Sequence, residues 1–80
     1  MQSEWANLKT AIERALKSAE KGERGGLRVH CGSAERMLKG AKTPEGKDVA
    51  GKVHSAMTSI DLKHAVEHLE AALAIATAKV

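Results

Sequence analysis

The chain has 80 residues and a formal net charge of +3, and its only aromatic residue is Trp5. A chain this short makes one domain, and its core must be built from Leu, Ile, Val, Met and Ala. Such small cores are usually supported by disulfides, metals or self-association. The lone Cys31 excludes an intrachain disulfide. No apolar run approaches the length of a membrane span. The charge is uneven: residues 1–42 hold nine Lys and Arg against five Glu, and residues 43–80 hold four Lys against five acids. That imbalance is too small to argue for nucleic acid.

The first predicted helix covers about residues 4–21, with Ser3 as its N-cap and Glu4 at its positive start. Trp5, Leu8, Ile12, Ala15, Leu16 and Ala19 share one arc at the helical period. Lys9, Glu13, Lys17 and Glu20 line the other side. The Gly22–Gly26 segment reads as a tight link between antiparallel helices. Its glycines are not followed by the Gly-Lys-Ser/Thr of a phosphate loop.

The second helix is expected over about 27–40, with Leu27, Cys31, Ala34, Leu38 and Ala41 inward and His30 and Met37 at the border. Gly32 inside it suggests a close helix approach, and Gly40 ends it. Thr43-Pro44-Glu45-Gly46 reads first as a β-turn. The alternative is Thr43 as a cap with Pro44 in the first helical position.

The third helix, about 47–57, carries Val49, Ala50, Val53, Ala56, Met57 and Ile60 on one face. No Gly or Pro separates residues 52 and 80, so one continuous final helix must be weighed. Its apolar stripes would then lie roughly 200° apart, which argues for a break near 58–60. Thr58 as cap, with Asp61 three residues on and a Met57–Leu62 staple, supplies the start signal. The fourth helix, about 60–78, shows the stripe Leu62, Val66, Leu69, Leu73 and Ala76. The Leu8–Glu13 pattern is echoed at Leu62–Glu67. The expected fold is a single all-α domain, a small up-down four-helix bundle of two hairpins, or three helices if the last two merge.

Three groups of residues are candidates for function. His64 and His68 are one turn apart on a common face, and Asp61 precedes them by one turn. Two imidazoles and a carboxylate suit Cu²⁺, Ni²⁺ or Zn²⁺, although no cofactor is required by the fold. His30 is a further, weaker ligand candidate beside Cys31, which reads as a small core residue. Arg24, Arg28, Lys39 and Lys42 form a candidate basic edge along the second helix. Without aromatic residues for base stacking, that edge reads as a solvated flank rather than a nucleic-acid surface. The third group is Ala71, Ile75 and Ala78, which continue the line of His64 and His68 away from the leucine stripe. A helix end that is apolar nearly all round is usually covered, here by a second copy or a protein partner.

No nucleophile–base arrangement appears among the serines and histidines, so a non-enzyme is expected. The stretches Leu62–Leu73 and Lys21–Ala34 resemble repeats of the small metal-binding protein family. That resemblance implies a four-helix bundle that binds divalent metals, copper especially, with His30, His64 and His68 as matching ligand positions and Glu67 as a further one. This chain departs from that pattern in having four His and a Cys. The leading expectation is a non-enzymatic helical interaction module that self-associates through its last helix; the alternative is a divalent-metal binder using surface histidines. The composition suggests a soluble cytoplasmic protein, or a periplasmic one if an export signal has been removed.

Overall fold

The computed structural model describes residues 3–80, with side chains from Glu4 onward. Four helices follow one another: α1 (Ser3–Glu20), α2 (Arg24–Leu38), α3 (Pro44–Thr58) and α4 (Leu62–Lys79). Each packs against its neighbours in sequence, and α1 closes the ring against α4. The turns are short, so successive helices run antiparallel, as in an up-down four-helix bundle. The Ser3 side-chain cap expected from the sequence falls outside the described side chains.

The core follows from a 3-4 spacing. The buried residues are Leu27, Cys31, Ala34 and Leu38 on α2, Gly46, Val49, Val53 and Ala56 on α3, and Ala65, Leu69, Ala72 and Ala76 on α4. Leu8, Ala11, Ile12, Ala15, Ser18 and Ala19 face them from α1. Residues three and four apart form a narrow seam, the pattern by which helices pack near-parallel in bundles. Eight of the sixteen buried apolar residues described are alanine. Small centres let helix axes approach, while larger side chains cover the flanks.

That division of labour shifts the expected face of α4. The sequence centred it on Leu62, Val66, Leu69, Leu73 and Ala76. In the structure Ala65 and Ala72 sit at the centre, and Leu62, Val66 and Leu73 are half-buried on one flank. Ala41, expected inside, is likewise only half-buried. Ile60, expected on the core face of α3, lies beyond the helix and is 96% exposed.

The helix ends correct several boundaries. Gly22 adopts φ +77°, and the Glu23 and Gly22 N–H groups donate to Ser18 and Ala19 carbonyls at 2.8 and 3.1 Å. This is a Schellman ending, which needs a left-handed residue. The second helix then starts at Arg24, three residues earlier than expected. The Glu23 carbonyl accepts the Leu27 N–H at 3.0 Å, so Gly25 and Gly26 are helical.

A Cβ on Gly26 would lie 2.6 Å from Ser18 Oγ, whereas one on Gly32 would meet nothing within 4 Å. The close approach of α1 and α2 is therefore at Gly26 and not at Gly32. At the next corner the turn reading gives way to the capped helix. Thr43 Oγ1 accepts the Gly46 N–H at 3.0 Å, with Pro44 in the first turn, so α3 begins at Pro44 rather than 47.

The expected break before α4 is present, but Asp61 makes the cap instead of Thr58. Asp61 Oδ1 accepts the His64 N–H at 2.8 Å. The Thr58 hydroxyl is inside α3 and donates to the His54 carbonyl at 2.9 Å.

Candidate interaction surfaces

The bundle has two distinct ends. One holds the α1–α2 and α3–α4 turns. The other holds the start of α1, the α2–α3 turn and the end of α4. The Lys79 ammonium, 3.4 Å from the Glu45 carboxylate, ties the last turn of α4 to the first turn of α3 at that second end. The Glu45 carboxyl lies below its usual range, first because a backbone N–H donates to it and then because Lys79 is near.

The outer side of α4 differs between its two halves: Lys63, Glu67 and Glu70 are exposed charges in the first. From Ala71 to Ala78 it carries no charged residue. Ala71, Ala74 and Ala78 are exposed, and Ile75 is half-buried against the core. Ile75 is thus a flank residue, and the expected line of Ala71, Ile75 and Ala78 does not lie opposite the core. Once Ala65 and Ala72 define the centre, that line starts at the core edge and runs outward. By contrast, Glu13, Arg14 and Lys17 of α1, Arg28 and Arg36 of α2, and Lys47 and Asp48 of α3 are exposed charges.

The expected basic edge separates into two parts. Arg24 reaches across to the α3–α4 turn and donates to the carbonyls of Ser59 at 3.0 Å and Ile60 at 2.7 Å. Its planar fork donates to two successive carbonyls of the link between α3 and α4. Arg28 is exposed on α2. Lys39 and Lys42 lie at the opposite end of the bundle, beside a groove of about 530 Å³. Trp5, Leu8, Met37, Leu38 and Ala41 supply the apolar part of that groove, and Glu4 is its acidic member. No sequence motif marks this groove. Trp5 was legible on the inner arc of the first helix and Met37 at the border of the second, but their meeting depends on how α1 crosses the end of α2.

The histidines divide similarly. Asp61 is occupied at the start of α4: its carboxylate accepts from the His64 backbone and lies 2.7 and 2.9 Å from His64 Nδ1. The Asp61 carboxyl is held below its ordinary range, first by the His64 N–H and then by the ring. His68 is half-buried. Among the described residues no three His, Cys, Asp or Glu side chains converge in a group able to hold a metal ion. Asp61, His64 and His68 share a helix side without forming such a group. His30 is half-buried on α2, while His54 pairs across to α2 through Glu35, with Nδ1 3.0 Å from Oε2. Cys31 is fully buried, and its thiol is pushed up to about 11, chiefly by burial and then by the Glu35 charge.

No described helix is long and apolar enough to cross a membrane. The fold defines the chain as a small four-helix bundle. Compared with family models, curated proteins and solved structures, it matches none. The likeness to small metal-binding proteins therefore yields no family assignment.

Proposed function

We propose that this chain is a non-enzymatic helical interaction module that pairs with a second copy of itself along α4. The observation that carries this reading is the uncharged outer side of α4 between Ala71 and Ala78. The other helices, and the first half of α4 through Lys63, Glu67 and Glu70, carry charges on their outer sides, as helices facing water usually do. Three exposed alanines allow a second helix backbone to come close, and half-buried Ile75 supplies a larger side chain beside them. The uncharged stretch spans little more than two turns, so the seam is small by the standard of stable interfaces. Dissociation at about 10 µM or weaker is expected.

Sedimentation equilibrium tests the proposal. The native chain should move from the 8.5 kDa monomer towards twice that mass as concentration rises. Ala74→Glu places a charge in the middle of the seam at an exposed position, so the fold persists and pairing along α4 is lost. A native chain that stays monomeric up to about 1 mM would remove the reading. So would an Ala74→Glu protein that pairs as well as the native one.

A further inference from the structure

Ile60 is the most exposed large apolar side chain described, and it does not sit on a loose tip. The backbone beneath it is held from both sides. Arg24 donates to the carbonyls of Ser59 and Ile60, and the Ser59 hydroxyl donates to the Ser55 carbonyl at 2.6 Å. Immediately after it, Asp61 is fixed as the cap of α4. The turn therefore presents an isoleucine and a neighbouring carboxylate on a prepared base, which lowers the ordering cost of any contact they make.

At the other end of the bundle is a groove of complementary character. Its apolar lining is Trp5, Leu8, Met37, Leu38 and Ala41, with Lys39 and Lys42 beside it and Glu4 as the acidic member. At about 530 Å³ it has ample room for a branched aliphatic side chain. Met37, a long and adaptable side chain at its edge, is 49% exposed. Lys39 and Lys42 outnumber Glu4 around the groove, which favours an apolar group next to a negative charge; Ile60-Asp61 supplies that pair, although Asp61 also holds His64 and Arg24 lies beneath Ile60.

We propose that Ile60 of one copy seats in the Trp5–Met37 groove of another, with Asp61 set against Lys39 and Lys42. This contact is separate from the α4 seam and does not depend on it. Knob and groove lie at opposite ends, so the contact is head-to-tail. Each pair retains one free knob and one free groove, and growth continues unless the rotation closes a ring. The bundle measures 33 × 19 × 17 Å, so an end offers little area compared with a standard interface of about 1,600 Å². The association is correspondingly weak. It weakens further with salt, because the charges involved are exposed.

Trp5 is the only aromatic residue, so its emission reports on the filling of the groove. Emission and sedimentation are measured from about 10 µM to about 1 mM, in the native chain and in Ala74→Glu, which removes α4 pairing. With rising concentration both proteins should show a blue shift of Trp5 and a rise in mass beyond that due to α4. Ile60→Asp and Met37→Glu, both at exposed positions, should each abolish the concentration-dependent shift while circular dichroism stays unchanged. An equimolar mixture of those two variants, each also carrying Ala74→Glu, should regain it, because each chain keeps the face the other lacks. Growth in the mixture should then stop at two chains. A Trp5 emission independent of concentration in both proteins overturns the proposal. So does an Ile60→Asp chain that behaves as native, or a mixture that fails to recover. A monomeric Ala74→Glu with no Trp5 shift, beside a dimeric native chain, would reject this contact and leave the α4 seam standing.

Discussion

Gly46 and Gly51 lie in the same helix, yet replacing each by alanine should move stability in opposite directions. At Gly51 an added Cβ meets nothing within 4 Å and the residue is exposed. Alanine there gains helix propensity and narrows the unfolded ensemble, together about 0.5–1 kcal/mol of stabilisation. At Gly46 the Cβ would fall 2.9 Å from Ala41 Cβ and 3.1 Å from Thr43 Oγ1. Ala41 Cβ has no torsion through which to move away, so the α2–α3 corner itself must shift. Overpacking of this kind costs roughly 1–3 kcal/mol, and the displaced Thr43 cap adds to it.

Net destabilisation of about 1–2 kcal/mol is therefore expected for Gly46→Ala after the propensity gain. For a domain of this size that is a fall in Tm of roughly 4–16 °C, against a rise of a few degrees for Gly51→Ala. Thermal melts followed by circular dichroism, with denaturant titrations to confirm the sign, measure both. If Gly46→Ala stabilises the protein as much as Gly51→Ala does, the close corner does not exist and the reasoning fails.

Three further outcomes follow from the same contacts. Arg24→Met keeps the aliphatic stem but leaves the Ser59 and Ile60 carbonyls without their charged donor, and should cost about 1 kcal/mol in denaturant unfolding; Arg24→Lys should not restore it fully, because one ammonium does not reproduce the two-pronged geometry. Asp61 has a folded pKa below its unfolded value, so its contribution is present above the unfolded carboxyl pKa and disappears as pH falls through the folded one. Asp61→Ala should thus lower Tm at neutral pH, and the gap from native should close in acid; a gap that stays constant would contradict the assignment. Cys31, buried and with its thiol at about 11, should resist thiol reagents at pH 8 unless the bundle opens. Its labelling rate should rise steeply with denaturant, and rapid labelling of the native protein would show that the core is open at α2.

The number of helices, their order and most of their inward residues were legible from spacing alone, because a helical repeat records which side of a helix avoids water. Leu27, Cys31, Ala34 and Leu38 are an example: all four are buried as the periodicity implied. The break before α4 was legible too, since the two apolar stripes could not share one continuous helix. Thr43 and Thr58 both looked like caps, but only Thr43 accepts from the start of a helix.

Tertiary packing decided the remainder. Gly26, rather than Gly32, became the point of close approach because Ser18 stands opposite it. Ala65 and Ala72 joined Leu69 and Ala76 at the centre of α4, and Leu62, Val66 and Leu73 moved to a flank, because short side chains let the neighbouring helix axes approach. Of the expected basic edge, Lys39 and Lys42 went to one end of the bundle, and Arg24 at the other was drawn off to bind carbonyls 35 and 36 residues away in sequence. Helix period is a property of one segment, so it can be read along the chain. Which residues stand opposite one another depends on how whole segments cross, and that is set only when all four have packed.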